Sequence, residues 1–214
     1  IYGLSSIIGR FLNWLLVPMY TRVFVDTGDF GIITNLYGWV ALLLVLLTCG
    51  METGFFRFIN KKEETEPMRV YATVMAWVGG LASAFILLVL LFLRPIASAL
   101  EYHAPLEFLG MMLVVTAIDA FCCIPFAYLR YAGQAYRFAG IKMLNIFLNI
   151  FLNIFFLLIC PYLHARMPDA VDWFYRPDYG VGYVFVANVI TTGVTLLCLL
   201  PSMKPGFQSR PNWT

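Results

Sequence analysis

The sequence predicts an all-α membrane protein, a bundle of six transmembrane helices. Hydrophobic residues make up 61% of the 214 residues and charged residues only 12%, about half the charge of an ordinary soluble domain. The charges gather in short stretches. Between them lie apolar runs of the roughly 20 residues that a bilayer core demands. Aromatic residues reach 17%, which suits interfacial belts of Trp and Tyr.

Each span can be placed in turn. The first is expected from about Tyr2 to Phe24, followed by a short loop with Asp26, Gly28 and Asp29. The second runs from about Phe30 to Phe58 and ends at the charged loop from Asn60 to Arg69. The third covers Val70 to Leu93, before a loop with Pro95, Glu101, His103 and Pro105. The fourth runs from Leu106 to Leu129, and a basic link with Arg130, Gly133, Gln134 and Arg137 follows. The fifth runs from Phe138 to Leu163, before the longest loop, His164 to Tyr179. The sixth runs from Gly180 to Leu200. Residues 1–200 thus form the membrane lobe. Residues 201–214, polar and proline-rich, read as a cytoplasmic tail or a linker to a second lobe.

Lys and Arg placement sets the orientation. With the N-terminus in the cytoplasm, the inner segments hold Arg57, Lys61, Lys62, Arg69, Arg130, Arg137, Lys142, Lys204 and Arg210. The outer ones hold Arg22, Arg94, Arg166 and Arg176. Both ends are therefore expected in the cytoplasm, and an even number of spans agrees.

Composition also excludes. A net charge of +2 gives no nucleic-acid footprint. The chain opens at Ile1 without a charged region, so no signal-peptide pattern is expected. Cys49, Cys122, Cys123, Cys160 and Cys198 fall in or beside apolar runs without metal spacing, and read as packing residues outside any disulfide framework. His103 and His164 both fall in outer loops, so no membrane metalloprotease ligand set arises. No G-x-S-x-G elbow and no glycine-rich phosphate loop occurs. Neither an enzyme nor a cofactor is expected.

Polar residues at membrane depth are costly and usually face a partner or a water-filled cavity. Arg10 lies about two turns into the first span. It either snorkels to the headgroups or lines a cavity, where a guanidinium would meet a phosphate. Glu52 is expected at similar depth in an antiparallel hairpin, paired with Arg10 or serving as a coupling carboxylate. Gly50 and Gly54 flank it in a GxxxG pattern suited to helix packing. Asp119 lies near the middle of the fourth span, too short to snorkel, so it must be neutral, paired or in water. Pro125 is expected to kink that helix. Asn145, Asn149 and Asn153 recur every fourth residue. Such a stripe drifts about 40° per step, giving a slowly spiralling polar seam. It serves either interhelical hydrogen bonds or a cavity wall for sugar hydroxyls. Phe147, Phe151 and Phe155 share the period on another face and read as lipid or packing surface. Asn13, Asn35 and Asn188, with Thr191, Thr192 and Thr195, add polar positions elsewhere.

The first two spans carry a more specific pattern. Arg10-Phe11, Pro18, Tyr20-Thr21-Arg22-Val23-Phe24 and Phe30-Gly31 form one cluster. Gly50, Glu52 and Phe56-Arg57-Phe58 form the next. Together they resemble the N-terminal signature of polysaccharide-biosynthesis flippases, in the multidrug/oligosaccharidyl-lipid/polysaccharide exporter superfamily. Beyond residue 70 the resemblance rests on helix number, loop placement and orientation. It implies a MATE-like transporter of two six-helix lobes around a central cavity, with this chain as the N-terminal lobe. It further implies alternating-access transfer of lipid-linked oligosaccharide across a bacterial inner membrane, with membrane lipids and a coupling proton or cation as partners. Arg10 and Arg57 match basic positions of the pattern, and Glu52 lies in its second-helix motif. Asp119, Asn13, Asn145, Asn149 and Asn153 join the expected cavity from spacing alone. Two other classes compete: an ion-coupled exporter of amphipathic small molecules, and a structural membrane subunit. The absence of an acidic residue from the first span counts against a drug/cation antiporter.

Arg10→Ala is expected to abolish complementation of a flippase-deficient strain at unchanged expression. Normal glycan export in that variant would remove Arg10 from the site.

Overall fold

The computed structural model describes residues 16–24, 27–59, 67–100, 102, 104–167 and 171–209. Every regular element among them is helical. They are α1 (Leu16–Val23), α2 (Thr27–Thr48), α3 (Met51–Ile59), α4 (Pro67–Ala99), α5 (Leu106–Tyr131), α6 (Ala135–Ile154), α7 (Cys160–Arg166) and α8 (Gly182–Gln208). A π-helical turn, Phe155–Ile159, joins α6 to α7. Five continuous or near-continuous stretches are long and apolar enough to cross a membrane: Gly31–Ile59, Pro67–Ala99, Leu106–Tyr131, Ala135–Arg166 and Gly182–Gln208. The chain is a multi-pass helical membrane protein. Most of the expected first span, with Arg10 and Asn13, lies outside the described residues.

Local chemistry explains where the helices depart from expectation. The second span is two helices. Cys49 (φ 46°) and Gly50 (φ 65°) both adopt the left-handed conformation and end α2, which glycine does without a Cβ penalty. A Cβ added at Gly50 or at Gly54 would meet nothing within 4 Å, so the GxxxG pattern ends a helix and packs no neighbour closely. In α4 the backbone leaves helical angles at Phe92 (φ −119°, ψ 22°). Pro95, three residues on, lacks an N–H and crowds the preceding turn. Pro125 acts more gently, and α5 runs on through it to Tyr131.

The sixth span also extends past its expected end. α8 continues through Pro201 and Pro205 to Gln208, where a tail was expected. Packing overrides the prolines here. Ser202, Met203 and Gly206 are buried. The Tyr71 hydroxyl of α4 donates to the Ser202 carbonyl at 3.1 Å, and Gly206 lets α8 close onto Tyr71 and Met75.

α5 is the central helix and touches α2, α3, α4, α6 and α8. The apolar core around it falls into two clusters. One gathers Tyr20, Leu36, Leu109, Met112, Val184 and Phe185, among others. The second gathers Phe55, Tyr71, Phe126, Leu129, Leu199 and Met203, among others. Between them each of three helices turns polar. α5 presents Thr116 and Asp119, α6 presents Lys142, Asn145 and Asn149, and α8 presents Asn188, Thr191, Thr192 and Thr195.

The start of α8 is packed without slack. A Cβ on Gly182 would intrude on the Tyr179 ring and lie 2.7 Å from the Phe108 ring. Gly182→Ala should therefore destabilise the protein by about 1–3 kcal/mol, read as a lower thermal unfolding midpoint in detergent. Gly54→Ala, into open space, should leave the midpoint unchanged or higher. An undisturbed midpoint in the Gly182 variant would contradict this packing.

Candidate functional site

Two adjoining cavities occupy the polar layer. The first has a volume of about 450 Å³. Its polar lining is uncharged except for Asp119: Tyr20, Thr34, Tyr37, Asn145, Asn149, Asn188, Thr191 and Thr192. The second has a volume of about 610 Å³ and holds four ionisable side chains of opposite sign, Glu52, Asp119, Arg130 and Lys142, beside Cys122 and Cys123. Asp119 and Asn145 line both cavities.

The first cavity is framed by one chain of hydrogen bonds through four helices. The Tyr20 hydroxyl of α1 donates to Asn153 Oδ1 at 2.9 Å. Asn153 Nδ2 donates to the Asn149 carbonyl at 2.8 Å and to Asn149 Oδ1 at 3.2 Å. Asn149 Nδ2 donates across to Asn188 Oδ1 on α8 at 3.2 Å. Asn188 Nδ2 donates to the Tyr37 hydroxyl of α2 at 2.7 Å. Lower in the layer, Asn145 Nδ2 donates to Thr195 Oγ1 at 2.8 Å, and Thr192 Oγ1 donates to Asp119 Oδ1 at 3.1 Å.

Charge in the second cavity is partly matched. Arg130, in the last turn of α5, donates to and forms an ion pair with Glu52 of α3. Its guanidinium lies 5.3 Å from the Phe56 ring centre and 5.7 Å from that of Phe138. The Lys142 ammonium stands 4.2 Å over the Phe126 ring, a contact that favours a cation in a low-dielectric setting.

The expected site residues separate into groups. Asp119, Asn145 and Asn149 line the first cavity, and Glu52 joins Asp119 and Asn145 in the second. Asn153 is fully buried and lines neither; it holds Asn149 in place. Arg57 is exposed on α3 and lines neither cavity; five residues past Glu52 on the same helix, it points about 140° away from it. Arg10 and Asn13 lie outside the described residues. Glu52, expected either to pair with Arg10 or to serve as a coupling carboxylate, forms an ion pair among the described residues with Arg130.

Sequence reasoning missed Arg130 and Lys142, which were counted as inner-loop charge. Lys142 stands three residues before Asn145, one helical step along the same face, so the asparagine spacing pointed to it. Tyr20 and Tyr37 carried no such signal, because tyrosine is common in membrane belts. Among the described residues no group of His, Cys, Asp and Glu could hold a metal ion.

Comparison with protein-family models, curated proteins and solved structures gives no match for this chain.

Interhelical hydrogen bonds in membranes are worth about 0.6 kcal/mol on average and up to about 1.7. Asn153→Leu should cost stability on this scale or above, since it strands Tyr20 and Asn149 together. In a double-mutant cycle with Tyr20→Phe, measured by unfolding in detergent, the two losses should be non-additive. Strict additivity would mean that the Tyr20–Asn153 bond contributes nothing.

Proposed function

We propose that the chain is one six-helix lobe of a transporter that moves lipid-linked oligosaccharide from the inner to the outer leaflet of a bacterial inner membrane. Alternating access is the mechanism, and both ends of the chain face the cytoplasm. The observation that carries the reading is the pair of cavities at membrane depth, one lined by amides and hydroxyls and the other by charge. A lipid-linked glycan has two unlike parts. Its sugars offer hydroxyls, which amides and hydroxyls bind well. Its phosphate groups are anionic and call for cations, which Arg130 and Lys142 supply. The isoprenoid tail stays in lipid. The resemblance of the first two spans to polysaccharide flippases adds sequence support.

An ion-coupled exporter of amphipathic small molecules is the second reading. It is favoured by one observation: Glu52 and Asp119 line the same cavity. A structural subunit without a transport path is less well supported. Its polar groups would satisfy one another and leave no space. Here they do hydrogen-bond together, yet cavities remain between them.

Asn149→Ala and Asn188→Ala each remove amide groups from the first cavity. In a flippase-deficient bacterial strain each should lower surface glycan by about tenfold, the equivalent of one lost hydrogen bond of about 1.4 kcal/mol, at unchanged protein level. Full glycan export in both variants, with efflux of cationic dyes that Asp119→Asn abolishes, would transfer the conclusion to the second reading.

A further inference from the structure

We propose that Glu52 is a stand-in anion: the second cavity binds a phosphate-type ligand through Arg130 and Lys142, and the ligand displaces Glu52 from Arg130. The ligand class rests on the transport reading above, whereas the displacement follows from the geometry.

Arg130 is incompletely used. It reaches Glu52 through Nη2 alone. Its Nε is buried and has no hydrogen-bond partner. A guanidinium presents a planar fork that matches the oxygens of a phosphate with two parallel bonds. A phosphate seated on the Nε and Nη2 edge would satisfy the donor that Glu52 leaves idle. The Phe56 and Phe138 rings, 5.3 and 5.7 Å from the guanidinium, are cation-π partners that help to hold it in the cavity wall. Lys142 shares the cavity, and as a compact point charge on a flexible stem it can follow the ligand.

Glu52 has the properties of a temporary partner. An unpaired Arg in a partly desolvated site is costly, so an empty cavity needs a counter-charge. Yet the side chains of the pair remain about one-third exposed, Arg130 30% and Glu52 41%, and exposed pairs are weak. Glu52 also stands on α3, a nine-residue helix separated from α2 by the left-handed turn at Cys49 and Gly50. Displacing its carboxylate removes the ion pair between α3 and the end of α5, while Phe55 keeps its ring contact with Tyr131.

The test uses the purified protein in phosphatidylcholine nanodiscs with inorganic pyrophosphate as the probe, titrated calorimetrically. The native protein should bind it. Glu52→Gln removes the internal competitor and should bind about fivefold more tightly, the strength of a partly exposed ion pair. Lys142→Gln should bind more weakly. Glu52→Gln/Arg130→Gln, which removes both charges and leaves neither unpaired, should fold and fail to bind. Equal or weaker binding by folded Glu52→Gln would overturn the proposal, as would native-like binding by the double variant. Cys123, which lines the cavity, gives a second readout through maleimide labelling followed by peptide mass spectrometry. Protection by dioleoyl phosphatidic acid in the nanodisc would place the ligand in the bilayer. Protection by free pyrophosphate alone would place it in water, and protection by neither would overturn the proposal. Full glycan export by the Glu52→Gln/Arg130→Gln variant, with pyrophosphate tightening by Glu52→Gln intact, would sink the transport reading alone. Export lost in the double variant, without tightening by Glu52→Gln, would sink the displacement alone.

Discussion

An apolar core this size would close completely if nothing interrupted it. Here it is interrupted at membrane depth by a polar layer drawn from α5, α6 and α8. Hydrocarbon offers no partner to an amide, hydroxyl or carboxylate, so each such group must find one inside the protein. That requirement orders the bundle. Asn149 has to meet Asn188, and Asn145 has to meet Thr195, which fixes how α6 and α8 face each other. Tyr20 and Tyr37 bring α1 and α2 onto the same chain of bonds. The apolar clusters on either side then pack around a register already set by the polar contacts.

The same layer cannot pack densely. Asparagine, threonine and aspartate are small, and their bonds run between helices instead of filling the space there. Cavities of about 450 and 610 Å³ remain. Asp119 stands where they meet. Thr192 gives it one hydrogen bond, and its remaining lone pairs open onto both spaces. A cation in the second cavity, Lys142, supplies the opposite charge. Structure and capacity for ligand therefore have one origin: the groups that hold the helices in register are the ones that line the space between them.

Much of this could be read from the chain. Apolar runs placed the starts of the described spans within about three residues, whereas α4 and α8 run on past their expected ends at Leu93 and Leu200 to Ala99 and Gln208. The every-fourth-residue asparagines identified the seam, and a short carboxylate at mid-span identified Asp119. What was illegible depended on tertiary contact or on turn geometry. Proline marked the end of the sixth span in sequence, but Tyr71 and Met75 hold the helix together beyond it. Glycines flanking Glu52 looked like a packing face, while the left-handed angles at Cys49 and Gly50 make them a break. Lys142 and Arg130 looked like loop charges because counting charges by segment ignores which face of a helix they occupy.

The break at Gly50 also fixes the depth of the charged cavity. At about 1.5 Å per residue, the 22 residues of α2 already span about 33 Å, close to the roughly 30 Å of a hydrocarbon core. Glu52, just past that end, lies toward the end of the second span, beside Arg130 in the last turn of α5. Arg130 is eleven residues from Asp119 on α5, about 16 Å along the axis. The second cavity thus reaches from an ion pair in the last turn of α5 to a carboxylate near the middle of that helix. Charge is densest where water is closest, and beyond Asp119 the first cavity continues with amides and hydroxyls alone. Such a gradient spares the bilayer centre the desolvation cost of the arginine. Under the proposed transport reading it would also orient a ligand with one charged and one hydroxylated end, charge toward the Arg130 side and hydroxyls toward Tyr20 and Tyr37.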